Sequence, residues 1–194
     1  CLDNYGHQLL DDDEEEMLES CQESDESGEE FSFCRLFGPE KIPGMINEFL
    51  GYFMVRKVAC GKDQLRVTGT AIKKLASWLG VRGYITAGEA EEMAVTAARA
   101  SRDLPAADEL SELLFYLVEN SPPPEGDEEL NDLFSVVKVE PGKLYLQAGV
   151  DKPVVIAVPR EISSLCKKGW MLNLLLVKTE GGWCIAKTGG VYPI

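Results

Sequence analysis

Three consecutive prolines, Pro122-Pro123-Pro124, divide this 194-residue chain into two parts with different hydrophobic periods. Proline fixes φ and lacks an amide hydrogen, so the triplet favours an extended connector, and the acidic run 125–129 follows it. Before the triplet, apolar residues recur at the 3.6-residue period of an amphipathic helix. After it, they alternate with the period of two that is typical of a half-buried strand. The chain therefore predicts a helical region followed by a region of strands.

The helical region predicts about four helices joined by short connections. The apolar positions of the first helix are Ile46, Phe49, Leu50 and Phe53. A second apolar stripe runs from Leu65 to Leu79. Thr86 and Glu89 have the spacing of a capping box that opens a third helix, and Pro105 has the first-turn preference that opens a fourth. We expect these helices to form a compact bundle over residues 41–121.

The residues after the prolines predict five short strands. The predicted ranges are 134–139, 144–146, 154–158, 171–177 and 183–187, with a helical turn over 159–166. A helix between the third and fourth strands is the order of an OB-fold, whereas the total length is closer to an SH3-like barrel. We therefore predict an α+β chain: a helical domain at 41–121, a Pro/acidic linker at 122–130, and a small five-stranded antiparallel β-barrel at 131–194, SH3-like or OB-like.

Charge is distributed very unevenly along the chain. Residues 1–40 contain 14 Asp and Glu against a single base, Arg35, and so form an acidic arm of net charge −13. The blocks 41–83, 84–134 and 135–194 carry net charges of +6, −11 and +4. Alternation of this kind indicates segments that attract one another or an outside polyion. The acids at 11–16 predict a short helix over 11–21, and the aromatic residues Phe31, Phe33 and Phe37 predict that the arm docks on the body.

The sequence argues against common catalytic and metal-binding arrangements. Its one histidine, His7, lies in the acidic arm, and no phosphate loop or dinucleotide-binding glycine motif is present. We therefore favour a protein without enzymatic activity or cofactor. The weak candidate ligands for zinc are Cys1, His7, Cys21 and Cys34. Their spacing lacks the paired turn that presents two ligands together, so we predict no metal site.

Cysteine usage and hydropathy indicate in which cellular compartment the protein is expected. The six cysteines include no C-x-x-C pair, and the body is large enough to fold without disulfides, which favours a reduced, cytoplasmic setting. No run approaches 18 apolar residues and no basic stretch precedes an apolar one near the first residue. We therefore expect no membrane partner and no secretory signal.

A basic row on the second helix is the most suggestive binding feature. Its members, at intervals of four, four and three residues, are Lys62, Arg66, Thr70 and Lys73. Lys74 lies on a neighbouring face, while Gly69 and Thr70 keep the centre of the row small. A phosphate backbone could approach such a surface, with the bases as counter-charges and the threonine hydroxyl as a donor. The alternative is an ordinary solvated face whose lysines balance the acidic arm or the fourth helix.

The same stretch resembles a known family in its motifs. The motifs are Glu48-Phe49-Leu50, Val67-Thr68-Gly69-Thr70, Lys73-Lys74-Leu75 and Trp78-Leu79, within residues 46–79. Over these 34 residues the chain resembles the SAM-like core-binding domain of phage-integrase-type tyrosine recombinases. The resemblance implies a helical domain that clamps DNA through phosphate contacts from its helices. The family's catalytic Arg, His and Tyr set has no counterpart among the other residues, so DNA or RNA binding without strand exchange is implied.

The barrel and the arm suggest two competing functions. Tyr145, between Leu144 and Leu146, is expected on the outer face of the barrel, where an aromatic ring can stack on a base. Together with the basic row, it favours a nucleic-acid-binding module with an autoinhibitory acidic arm. The alternative is a protein–protein adaptor in which helical domain and barrel are both docking surfaces. Salt separates the two, because phosphate contacts weaken steeply as salt rises.

Overall fold

Helices and strands occupy separate parts of the chain in the computed structural model, which describes residues 2–24, 33–58, 61–150 and 152–193. The helices are α1 (Leu2–Tyr5), α2 (Asp12–Ser24), α3 (Phe33–Leu36), α4 (Ile42–Glu48), α5 (Met54–Arg56), α6 (Lys62–Arg82), α7 (Ala87–Glu119) and α8 (Arg160–Leu165). The strands are β1 (Glu128–Glu140), β2 (Lys143–Gln147), β3 (Val154–Ala157), β4 (Met171–Thr179) and β5 (Gly182–Tyr192). The predicted α+β class, with helices followed by a five-stranded sheet, is confirmed for the described residues.

The two long helices α6 and α7 pack side by side and form the framework of the helical half. α6 ends at Gly83, whose φ of 73° lies in the left-handed region that glycine adopts without strain. The predicted capping box then opens α7, because the Glu89 amide donates to the Thr86 hydroxyl at 3.2 Å and the Thr86 amide donates to the Glu89 carboxylate at 2.7 Å. The turn between the helices is thus fixed by local hydrogen bonds on both sides.

The prediction of separate third and fourth helices is wrong, because α7 runs for 33 residues straight through Pro105. Proline has no amide hydrogen to donate to the preceding turn, which is why it usually begins a helix. Here the residues on both sides are anchored: Leu104 is buried among the helices, and Ala107 is buried against the strands. Tertiary packing therefore outweighs the lost hydrogen bond.

The predicted first helix is interrupted by a wider turn. Phe49–Phe53 form a π-helical segment between α4 and α5. From this segment the Tyr52 ring stacks on Tyr192 of β5 with ring centroids 5.8 Å apart, and Tyr5 of the arm meets Tyr52 edge-on at 6.3 Å. The π segment therefore connects the acidic arm to the last strand.

The described part of the arm is docked on the helical half. The predicted helix over 11–21 is confirmed by α2, and Phe33 is 4 % exposed. Glu14 of α2 accepts a hydrogen bond from the Lys41 ammonium at 2.6 Å. Phe31, which was also predicted to dock, lies outside the described residues.

The strands pair in the order β1-β2-β3-β5-β4, and pairing of β4 with β1 closes the ring. The predicted uniformly antiparallel barrel is wrong in its strand directions, because β3 and β5 pair in parallel where Ile156 lies opposite Trp183. The reason is geometric. Directions must alternate around an antiparallel ring, and an odd number of strands cannot alternate throughout. The sheet is therefore mixed.

The core of the strand half also includes part of α7. Leu110 and Leu114 of α7 are fully buried in the cluster that contains Phe134 of β1. An ion pair also connects the strand half to α7. The Lys167 ammonium lies 2.6 Å from the carboxylate of Asp103, whose side chain is 9 % exposed. The Pro/acidic segment therefore separates helices from strands along the chain, while the two halves pack on each other. β1 already begins at residue 128, inside the predicted linker.

Candidate functional site

α6 has one side buried against the rest of the helical half and one side open to solvent. Its buried residues are Leu65, Gly69, Ala76 and Leu79. On the opposite side lie four exposed residues that we call the basic ridge: Arg66, Thr70, Lys73 and Lys74. Because residues three and four apart are neighbours on a helix surface, the first three form one row, with Lys74 beside it. The ridge positions predicted from spacing are thus accessible to a ligand.

Lys62, the first member of the predicted row, is not part of the ridge. Its ammonium lies 3.2 Å from the Glu112 carboxylate and 3.7 Å from that of Glu109, both on α7. The hydrogen bond to Glu112 raises the pKa of Lys62, and the charges of Glu112, Glu109 and Asp108 add to that effect. For Lys62 the alternative interpretation of the row is confirmed, since its charge balances acids of the predicted fourth helix.

Nearby acidic side chains neutralise only part of the positive charge of the basic ridge. Arg66 lies 3.4 Å from the Asp63 carboxylate one turn away, and both side chains are largely exposed. In the ranges that the structure describes, no ion pair involves Lys73 or Lys74. Exposed pairs such as Arg66 with Asp63 are worth little, so an incoming anion can replace them at low cost. The ridge is therefore able to accept anionic groups.

Gly69 has a different role from the one that the sequence predicted. A side chain there would meet the Ser101 hydroxyl, and its Cβ would come within 2.5 Å of the Ala97 carbonyl oxygen. Gly69 therefore allows α6 and α7 to approach each other and does not face a ligand. Thr70, by contrast, is exposed beside the lysines and offers its hydroxyl as a donor.

Tyr145 lies in the strand half and has local partners. Its hydroxyl donates to the Glu140 carboxylate at 2.7 Å, and the Lys138 ammonium lies 4.8 Å from the ring centroid. The hydrogen bond to Glu140 raises the pKa of the Tyr145 phenol, and desolvation by partial burial raises this pKa further. Because the ring is half-buried and its hydroxyl is engaged by Glu140, Tyr145 is a poorer stacking surface than the sequence suggested.

An exposed aromatic cluster at the end of α6 was not predicted as a site. Trp78 is 49 % exposed and Tyr84 is 47 % exposed, and their ring centroids are 5.6 Å apart. The Arg82 guanidinium lies 5.9 Å from the centroid of the Trp78 ring. We call Trp78, Arg82 and Tyr84 the aromatic end. The sequence contains a signal for this cluster. Lys74, Trp78 and Arg82 are spaced four residues apart and therefore share one edge of the helix.

The flank of α6 that lies away from the Arg66, Thr70 and Lys73 row borders an apolar groove. A depression of about 550 Å³ is lined mainly by apolar side chains, among them Phe49, Met54, Val58, Val67 and Ile72. Val67 is 62 % exposed at its rim. A second cavity, of about 320 Å³, lies where Leu2 and Cys34 of the arm face α4 and α6. These surfaces are suited to apolar rather than anionic ligands.

Neither a metal site nor a membrane-spanning helix occurs in the described ranges. His7 and Cys34 are exposed and Cys21 is half-buried. No three His, Cys, Asp or Glu side chains of the described residues converge as metal ligands would, and Cys1 lies outside those residues. No described helix has the length and apolar character that crossing a bilayer requires.

Comparison with known proteins does not identify the chain. No family model matches the sequence, and no curated protein or solved structure matches it. The similarity of residues 46–79 to integrase core-binding domains therefore stays a prediction.

Proposed function

We propose that this protein is a non-enzymatic binding module that holds nucleic acid through the basic ridge of α6. The observation that carries the proposal is the exposure of Arg66, Lys73 and Lys74 on one side of a rigid helix, with both lysines without ion pairs among the described residues. The resemblance to integrase core-binding domains supports it, because helices carry the phosphate contacts in that family. A cytoplasmic setting and an SH3-like or OB-like barrel for the strand half belong to the same proposal.

The expected strength of this interaction follows from the number of cations. Each phosphate neutralised contributes about 0.7 to 0.9 to the slope of log K against log salt, through the release of condensed counterions. Three cations therefore predict a loss of about 20- to 40-fold in affinity between 50 and 200 mM salt. Such a module binds moderately on its own and is strongly sensitive to salt.

The acidic arm modulates this binding through its charge in our proposal. Its described residues dock on α4 and the π segment, where Glu14 pairs with Lys41, and do not pair with the ridge lysines. The exposed acids of α2 repel a polyanion that approaches α6, and this effect is screened beyond about 8 Å at physiological salt. The autoinhibition is then electrostatic and acts on the part of the polyanion that lies within that distance of the acids.

The proposal is tested by fluorescence anisotropy with labelled single- and double-stranded oligonucleotides and the full chain at 150 mM salt. The counterion argument gives about four- to sixfold per cation at this salt, so Lys73→Ala with Lys74→Ala should weaken binding about 15- to 35-fold. The matched control is Lys152→Ala with Lys187→Ala, which removes the same charge from exposed positions in the strand half. Equal effects of the two double variants would contradict the proposal.

The arm is tested by neutralising four exposed carboxylates of α2 and leaving Glu14 unchanged. The substitutions are Asp12→Asn, Asp13→Asn, Glu15→Gln and Glu16→Gln. We expect tighter oligonucleotide binding at 50 mM salt and little change at 300 mM, where the charges are screened. No change at either salt would remove the arm from the proposal.

The protein–protein adaptor is the second candidate, and the apolar groove beside Phe49, Val67 and Ile72 favours it. An amphipathic helix of a partner would bury its apolar face there, and its affinity would change little with salt. Absence of oligonucleotide binding by wild type at 50 mM salt would therefore favour the adaptor over the nucleic-acid module.

A further inference from the structure

The aromatic end of α6 combines exposed rings with positive charge. Trp78 lies one helical turn after Lys74 and one turn before Arg82, which corresponds to about 6 Å along the axis in each direction. Tyr84 follows the helix and contacts the indole at 5.6 Å between centroids. An aromatic surface flanked by cations on both sides is thus placed directly beside the basic ridge.

The turn that ends α6 explains why Tyr84 is there, but not why residue 78 is a tryptophan. The Gly83 amide donates to the Gly80 carbonyl and the Tyr84 amide to the Leu79 carbonyl, both at 3.1 Å, which is a Schellman motif. A hydrophobic contact between the residue after the turn and the last helical turn accompanies this motif. A leucine would supply that contact. Trp78 instead leaves about half of a large indole in water, 49 % of its surface.

We propose that Trp78, backed by Tyr84 and Arg82, is a stacking site for an unpaired base, so the ligand of the basic ridge is single-stranded nucleic acid. This inference rests on the proposed function and adds the class of ligand to it. In a duplex the bases are stacked on each other and their faces are inaccessible. In a single strand each base exposes a face to an aromatic side chain while the backbone follows the cations.

The arrangement also predicts how selective the site is. Stacking on an aromatic ring depends on the π-face that every base has, so it discriminates poorly between sequences. Among the residues of the basic ridge, Lys74 is nearest to the indole along α6, and Lys73 and Arg66 continue the phosphate contacts around and along the helix. We therefore expect a preference for single over double strands and little preference among sequences.

The experiment compares an oligothymidylate with an abasic oligonucleotide of the same length, which has the phosphates but no bases. Binding to the full chain is followed by anisotropy and by tryptophan fluorescence. We expect the oligothymidylate to quench the emission and to bind at least about fivefold more tightly than the abasic strand. Trp78→Leu keeps the apolar contact of the turn. It should abolish the quenching and the tighter binding of the oligothymidylate, and it should leave the affinity for the abasic strand unchanged.

Two further variants make the result specific. Trp78→Phe keeps a ring and should retain most of the preference for the strand with bases. Trp183→Phe removes a half-buried tryptophan from β5 and should leave both the quenching and the preference intact. Equal binding of the two strands by wild type, or a preference that survives in Trp78→Leu, would overturn the stacking site alone. Failure of both strands to bind at 50 mM salt would overturn the proposed function as well.

Discussion

Gly69→Ala tests the close approach of α6 and α7, on which the orientation of the basic ridge depends. The added methyl group would lie 2.5 Å from the Ala97 carbonyl oxygen and 2.9 Å from the Ser101 amide nitrogen, and it would also meet the Ser101 hydroxyl. The hydroxyl can rotate away. The two backbone atoms cannot, so the helices must separate by nearly 1 Å to restore ordinary contact distances.

The expected magnitude combines two opposing effects. Alanine is better than glycine in a helix by about 1 kcal/mol, whereas overpacking costs about 1 to 3 kcal/mol. Rigid backbone obstacles place this site near the upper value, so we expect a net loss of about 2 kcal/mol in the free energy of unfolding. For a chain of this size, that loss lowers Tm by about 4 to 8 °C.

The assay is thermal denaturation followed by circular dichroism, with Gly88→Ala as the matched control. Gly88 lies in the first turn of α7, where the nearest atom to an added methyl group is the Thr86 hydroxyl at 4.0 Å. The same substitution should therefore be neutral or slightly stabilising there. If Gly69→Ala is as stable as Gly88→Ala, the reasoning about the helix interface is wrong.

Three further predictions concern stability. Lys167→Met leaves the buried Asp103 carboxylate without its partner, so urea denaturation should show a loss of about 1 to 2 kcal/mol, and an unchanged midpoint would contradict this. Burial raises the pKa of the Cys166 thiol to about 12, above its unfolded value of about 8.5, so the folded state holds a proton that the unfolded state loses. Stability should therefore fall as pH rises from about 8.5 towards 12, and urea curves at pH 8, 9 and 10 should show a weaker fall for Cys166→Val. Thr86→Ala breaks the capping box with Glu89 and should cost about 1 kcal/mol in thermal denaturation, whereas a wild-type Tm would argue against the cap.

Features fixed by short-range chemistry could be predicted from the sequence. The capping box at Thr86 and the end of α6 at Gly83 each depend on residues within a few positions of one another. The exposed positions of the basic ridge followed from helical spacing in the same way. Local patterns are reliable where the backbone conformation of a segment decides the outcome.

Features decided by distant contacts could not be predicted. Pro105 suggests a helix start, yet the burial of Leu104 and Ala107 in two different clusters keeps α7 continuous. The π turn at Phe49–Phe53 places Tyr52 against Tyr192, which is 140 residues away along the chain. The parallel pair between β3 and β5 follows from closing a ring of five strands, which no single strand pattern reveals.

The residues of the candidate site could likewise be predicted from the sequence only where local spacing decides their position. Lys62 was grouped with Arg66 by spacing, but the acids of α7 that pair with it are almost fifty residues further along. From its spacing Gly69 was predicted to be an open position in the row, but it is buried against α7. Conversely, the interval of four between Lys74, Trp78 and Arg82 was visible in the sequence. Only the solvent exposure of Trp78 showed that this edge was not part of the core.

The most direct test of the account is the slope of log K against log salt for oligonucleotide binding between 50 and 300 mM. It should be measured for wild type and for Lys73→Ala with Lys74→Ala. Removing two phosphate contacts predicts a slope that is smaller in magnitude by about 1.4 to 1.8. An unchanged slope would show that these lysines do not contact phosphates and would contradict the assignment of the basic ridge as the nucleic-acid-binding surface.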